Sequence, residues 1–179
     1  MFTIKVEQHL VDYCNNQVSK FNFEKRSVAN GTPEQQLTGI IGQSAVMKLF
    51  DLGKVDGTQG FDNGVDIVFN GKKIDVKTMG RTTDVKPYYT NNFLKLQDYF
   101  DTEIYIFCSY NKLKKEVTLC GWIGKPDFVS KRRFYKKGST RTRSDGSSFK
   151  TFSDLYEIDN KNLNHVNSIN ELKQQLTDL

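Results

Sequence analysis

A chain of 179 residues with 37% hydrophobic and 26% charged side chains has the usage of one globular domain with a sizeable core, and its net charge is +5. Its three cysteines (Cys14, Cys108 and Cys120) are odd in number and widely spaced, which excludes a disulfide framework and a paired-cysteine zinc site and points to a reducing, cytoplasmic setting. No stretch approaches the roughly 18 apolar residues of a membrane span, no basic-then-apolar leader opens the chain, and two histidines (His9 and His165) leave little room for histidine-centred or Ser-His-Asp chemistry.

In chain order, Val6, Leu10, Cys14, Val18 and Phe21 recur at helical spacing and predict an amphipathic helix over residues 4–20. Residues 26–31 read as a loop. Thr32-Pro33-Glu34-Gln35 then carries the marks of a helix start: Thr32 caps, Pro33 takes the first helical position and Gln35 completes a capping box. This helix should run to about residue 50, with Leu37, Ile40, Ile41, Ala45 and Leu49 on its buried side. Gly39 and Gly42 each lower helix propensity by about 1 kcal/mol relative to Ala. Such a cost is tolerated where a helix backbone lies close to a sheet, which places the helix over the strands that follow. Residues 51–63 hold glycines and aspartates enough for a loop, and Asp62 reads better as a turn residue than as a ligand.

Residues 64–78 are the most informative stretch. Two runs rich in Val and Ile flank Asn70-Gly71, the pair that best tolerates the positive φ of a two-residue hairpin turn. With that loop, Phe69 pairs with Lys72, Val68 with Lys73, Ile67 with Ile74 and Asp66 with Asp75. Alternation sends Val65, Ile67, Phe69, Ile74, Val76 and Thr78 to one face, and Asp66, Val68, Lys73, Asp75 and Lys77 to the other. Directly opposed like charges are destabilising, so two crowded carboxylates call for a counter-charge. A hard divalent cation such as Mg²⁺ takes one or two carboxylates together with water and phosphate oxygens. Lys77, on the same face, can then orient the attacking water or stabilise charge on a phosphate. The plainer reading is a solvated face on which Lys73 and Lys77 neutralise Asp66 and Asp75.

Asp66 followed across a tight turn by Asp75-Val76-Lys77 resembles the core motif of the PD-(D/E)xK nuclease superfamily, whose fold is restriction-endonuclease-like. The resemblance implies that Asp66, Asp75 and the carbonyl of Val76 hold Mg²⁺, with Mn²⁺ able to substitute, and that Lys77 assists the water. It spans residues 32–123 in order of elements. Two positions depart from the pattern: Val65 stands where many members have Pro, and Gln43 stands where the preceding helix usually supplies Glu. Gln43 can hydrogen-bond a water through its amide but adds no charge. Glu34 cannot replace it, lying nine residues earlier, a half-turn round the helix and about 13 Å along its axis.

Residues 80–89 carry Arg81, Lys86 and two tyrosines beside this face, and residues 91–100 read as a short helix containing Gln97. In relatives of this kind a polar residue on the next helix, often Gln, points into the site, and Gln97 fits that place. Residues 103–110 and 116–123 are strongly β. Gly121-Trp122-Ile123 resembles a strand ending of phage and restriction-like members, with Trp122 better suited to the core than to a ligand. Lys131, Arg132, Arg133, Lys136, Lys137, Arg141 and Arg143 give residues 131–143 a charge of +7 against +5 for the whole chain, leaving −2 for the remainder. Phe134 and Tyr135 interleave with these charges and Gly138, Ser139 and Thr140 suggest mobility, a combination suited to phosphate binding and otherwise readable as a solvated loop. Residues 154–158 read as an edge strand, and Ser168 with Glu171 as a capping box opening a last helix.

The fold expected is a single α/β domain with a mixed central sheet of four or five strands flanked by helices. The function expected is Mg²⁺-dependent hydrolysis of DNA, with internal cutting. Asp66, Asp75, Lys77, Gln43 and Gln97 form the site, residues 131–143 hold DNA, and a homodimer is compatible with it. The alternative is an inactive module of the same fold that binds nucleic acid or a protein partner.

Overall fold

The computed structural model describes residues 1–21, 31–59, 64–142 and 146–179, so Asp62 and Arg143 lie outside the described residues. The chain opens with a strand, β1 (Phe2–Lys5), and the helix expected from residue 4 starts later, as α1 (Gln8–Lys20). Phe-Thr-Ile-Lys alternates, and a neighbouring strand edge wins those residues from the helical pattern that Val6, Leu10 and Cys14 set up. The second helix, α2 (Pro33–Leu49), begins as its sequence predicts. Thr32 Oγ1 accepts from the Gln35 amide at 3.3 Å while Gln35 Oε1 accepts from the Thr32 amide at 2.9 Å.

The hairpin forms on the expected turn, β2 (Ile67–Phe69) and β3 (Lys72–Arg81) being joined by Asn70 at φ 48° and Gly71 at φ 77°. Three of the four predicted pairs are ladder pairs: Phe69 with Lys72, Val68 with Lys73 and Ile67 with Ile74. The helix predicted over residues 91–100 is instead β4 (Thr90–Leu94), followed by one 3-10 turn at Lys95–Gln97. Asn91 and Phe93 are buried in alternation with their neighbours, a strand pattern too short to outweigh the helix formers after it. The two β-rich runs are β5 (Ile104–Asn111) and β6 (Glu116–Gly124). β5 lies parallel to β3 from Ile74↔Ile104 to Arg81↔Asn111 and antiparallel to β6, which also receives β1. The result is a five-stranded mixed sheet in the order β1-β6-β5-β3-β2. Gly121, at φ 151°, sits where a side chain would meet the Asn164 carbonyl at 2.6 Å, and Trp122 is core, its indole N–H donating to Gln175 at 2.7 Å.

The rest of the chain covers the other face of this sheet. After α3 (Lys125–Lys131), the basic run is ordered as β7 (Arg133–Tyr135) and β8 (Thr140–Thr142), which pairs with β9 (Ser148–Lys150). The predicted edge strand is β10 (Leu155–Asp159), the centre of a three-stranded antiparallel sheet ordered β4-β10-β7. The last helix is α4 (Ile169–Thr177). Its capping box is one-sided: Ser168 Oγ accepts from the Glu171 amide at 3.1 Å, but the Glu171 carboxylate takes the amide of Asn167 at 2.8 Å. One core lies between the large sheet and α1, α2 and α4, with Ile74, Val76, Ile106, Cys14, Ile41 and Leu172 buried there. A second core lies between the two sheets and under α3, built on Phe93, Tyr105, Phe107, Phe128, Tyr156 and Ile158. All three cysteines are buried and free, and burial pushes the Cys120 thiol up to about 12. Among the described residues no helix is long and apolar enough to cross a membrane.

Gly42 meets β3 at the middle of α2. A methyl group there would stand 1.9 Å from Thr78 Oγ1, whereas Gly39 has open space around it, so close approach accounts for Gly42 alone. Gly42→Ala is expected to destabilise the fold by about 1–3 kcal/mol through overpacking, despite its better helix propensity. The urea midpoints of Gly42→Ala and Gly39→Ala should therefore move in opposite directions.

Candidate functional site

Strand alternation sends Asp75 and Lys77 into the space between the two sheets, and Ile74 and Val76 under α2. Asp75 is 2% exposed, and Lys77 Nζ lies 2.6 Å from its Oδ2. The Lys77 ammonium also faces the Phe93 ring of β4, 5.6 Å from its centroid. Lys73, the other candidate for neutralising the aspartates, turns to Asp101 instead.

Asp66 reaches the same stretch of β3 by a different route from the one its register predicts. The ladder stops at Ile67↔Ile74, and the Asp66 amide donates to the Ile74 carbonyl at 2.9 Å. Its carboxylate then takes the next amide of β3, Val76 N–H to Asp66 Oδ2 at 2.6 Å. The fourth predicted pair, Asp66 opposite Asp75, is thus replaced by a side-chain bond one residue further on. The amide and carbonyl of one strand residue point toward the same neighbour, so the Val76 carbonyl is directed to the side of β3 that Asp66 occupies. Two carboxylates and one backbone carbonyl therefore meet around Asp75-Val76. Hard oxygen donors of this kind suit Mg²⁺ or Mn²⁺. Among the described residues no group of three or more His, Cys, Asp or Glu side chains gathers to hold a metal.

Several flanking groups had no signal in the sequence. Tyr105 stands opposite Asp75 in the β3–β5 register, 1% exposed, its hydroxyl without a hydrogen-bond partner. Burial first, and then the charges of Asp75 and Asp98, raise its pKa well above the ordinary tyrosine value. Asp98 is held by Arg132 through two bonds of 2.5 and 2.9 Å, and that guanidinium stacks 3.6 Å from the Tyr156 ring centroid. Gln97, adjacent to Asp98, is buried at the end of the 3-10 turn. Gln43 is half-buried, next to the Gly42–Thr78 approach, and among the described residues no hydrogen bond joins it to Asp66, Asp75 or Lys77. Tyr105 sits in an apolar run that reads as core, and Asp98 becomes relevant only once Arg132 folds against it.

The basic stretch is not the mobile loop its composition suggests. Arg133 makes a two-bond pair with Asp159, at 2.9 and 2.7 Å. Arg141 pairs with the buried Glu157 while stacking 3.9 Å from the Tyr135 centroid. With Arg132 on Asp98, three of the seven cations are matched by carboxylates from distant parts of the chain. Lys131, Lys136 and Lys137 remain exposed. The hydrogen bonds from Arg133 hold the Asp159 carboxyl below its ordinary value. A carboxyl whose folded pKa is lowered contributes stability above its unfolded pKa and loses it as pH falls through the folded one. Arg133→Gln should return Asp159 toward its ordinary value and so reduce the fall in urea midpoint between neutral and acid pH. An unchanged acid slope would show that the pair contributes nothing to pH-dependent stability.

Compared with family models, curated proteins and solved structures, the chain finds no match in any of the three.

Proposed function

We propose that the chain is a restriction-endonuclease-like deoxyribonuclease that hydrolyses phosphodiester bonds within DNA, with Mg²⁺ or Mn²⁺ held by Asp66, Asp75 and the carbonyl of Val76. The observation that carries this reading is the buried Asp75–Lys77 contact, one residue from the Asp66 carboxylate on Val76. When bound, the cation supplies Lewis-acid stabilisation of a phosphate oxygen. Asp75 holds the Lys77 ammonium in place, so that one N–H can be given to the phosphate under attack or to the incoming water. Gln97 and Gln43 supply neutral amides to that water. Phe93, Tyr105 and the second sheet keep bulk water from the floor of the site, which strengthens each charge there. Lys131, Lys136 and Lys137 hold backbone phosphates further out, while Arg132, Arg133 and Arg141 shape the sheet that presents them.

The test is incubation of supercoiled and linear DNA with Mg²⁺, Mn²⁺ or EDTA. Nicking of the closed circle reports internal cutting, and loss of linear DNA alone would report attack at ends. A second reading is a module that binds nucleic acid or protein without cutting. Two observations favour it: the neutral Gln43, and a donor set that stops at two carboxylates among the described residues. DNA binding with no cleavage in either metal would select it.

A further inference from the structure

Arg81 ends β3, and strand parity sends its side chain to the same face as Asp75 and Lys77. One of its N–H groups donates to the Thr90 carbonyl at 2.7 Å, and the guanidinium lies 4.7 Å from the Tyr89 ring centroid. Its remaining donors meet no acceptor among the described residues, and the Nε is fully buried. No carboxylate pairs with it there either, in contrast to Arg132, Arg133 and Arg141, which each hold one. The nearest acid in sequence, Asp84, is taken by Lys114 at 2.6 Å and by Asn111 at 3.1 Å. Burial draws the pKa of Arg81 below the usual arginine value, as expected for a cation its own protein leaves uncompensated.

Unspent donors on a partly desolvated guanidinium are costly, and their planar fork fits a phosphate better than any other common anion except a carboxylate. Next to Arg81, Tyr88 is 57% exposed, packs edge-on to Tyr89 and has Lys86 5.9 Å from its ring centroid. An exposed ring beside clustered cations is the arrangement on which unpaired bases stack. Lys77 and Arg81 are four residues apart on an extended strand, about 13 Å, a span of a few nucleotides.

We propose that Arg81 binds a backbone phosphate of DNA a few nucleotides from the Asp75–Lys77 centre, and that the adjoining unpaired base stacks on Tyr88, so that the substrate is a strand single-stranded or frayed beside the cut. This rests on the reading of that centre as one that acts on DNA.

The experiment measures anisotropy of a short fluorescein-labelled single-stranded DNA oligonucleotide across a salt series, with Asp75→Ala as the parent protein so that cleavage does not intervene. Arg81→Gln should weaken binding about tenfold and reduce the slope of log K against log salt by about 0.7, the value of one single-strand phosphate. Arg81→Lys should keep the slope, and it serves as the test if Arg81→Gln does not fold. Tyr88→Ala, at an exposed position, should weaken binding without changing the slope. Binding with a slope unchanged in Arg81→Gln, or lost equally in Arg81→Lys, overturns the phosphate site and leaves the nuclease reading standing. Unchanged affinity in Tyr88→Ala overturns the stacking. No binding by the parent overturns both this inference and the reading beneath it.

Discussion

Lys77→Met is expected to lower Mg²⁺-dependent nicking of supercoiled DNA by about 10²–10⁴-fold, the range typical of a positioned proton-transfer or charge-stabilising group. Asp75→Asn should reduce it at least as far by removing a charged ligand. The two substitutions separate in stability. Lys77→Met leaves a carboxylate that is 2% exposed without the ammonium at 2.6 Å, and breaking a buried pair from one side costs about 3–5 kcal/mol. Asp75→Asn removes the buried charge itself and leaves a lysine that can extend toward solvent, so its cost should be smaller. Nicking assays run beside urea denaturation therefore distinguish two roles. If Lys77→Met destabilises the fold yet cuts at the wild-type rate, Lys77 is only a structural partner of Asp75. If both variants fold cooperatively and neither cuts, the pair belongs to the chemistry.

Phe128→Ala should cost about 3–5 kcal/mol, the range for deleting a fully buried aromatic ring. Phe128 is wholly enclosed, and its ring centroid lies 5.0 Å from those of Phe93 and Tyr105, 6.0 Å from that of Phe107 and 6.5 Å from that of Tyr156. It therefore touches both sheets at once. It stands on α3, a helix of seven residues that is too short to persist without tertiary packing. Its removal should also loosen Phe93 over Lys77, so cleavage should fall even where the protein remains mostly folded. A drop in urea midpoint equivalent to less than about 1 kcal/mol would mean that the inter-sheet core closes round the lost volume.

The parts of this molecule that the sequence makes legible are those decided by neighbours in the chain. Asn70-Gly71 specifies the hairpin, Thr32 to Gln35 the start of α2, and the runs of Tyr, Ile, Phe and Val the strands β5 and β6. Asp66, Asp75 and Lys77 come together because they ride on that hairpin. Elements decided at long range were hidden. β4 is a strand because Leu94 pairs with Leu155 and Thr90 with Asp159, and nothing near residue 90 announces those partners. The basic run looked unpaired for the same reason, since Asp98, Glu157 and Asp159 reach it only through the second sheet. Gln97 was singled out on a predicted helix and lies instead on a 3-10 turn, buried beside an aspartate that the pattern did not mark.

β1 has a consequence for how the protein is made. Thr3 and Thr118 are hydrogen-bonded neighbours separated by 115 positions along the chain. A ribosome exports β1 first and its partner β6 only after most of the central sheet, so the earliest strand to emerge is among the last to dock. The hairpin of β2 and β3 can assemble as it leaves the tunnel, whereas a nascent chain halted before residue 116 carries an apolar Phe2 and Ile4 with nowhere to go. Proteolysis of stalled chains of increasing length should show protection of the amino terminus arriving abruptly, once β6 is out.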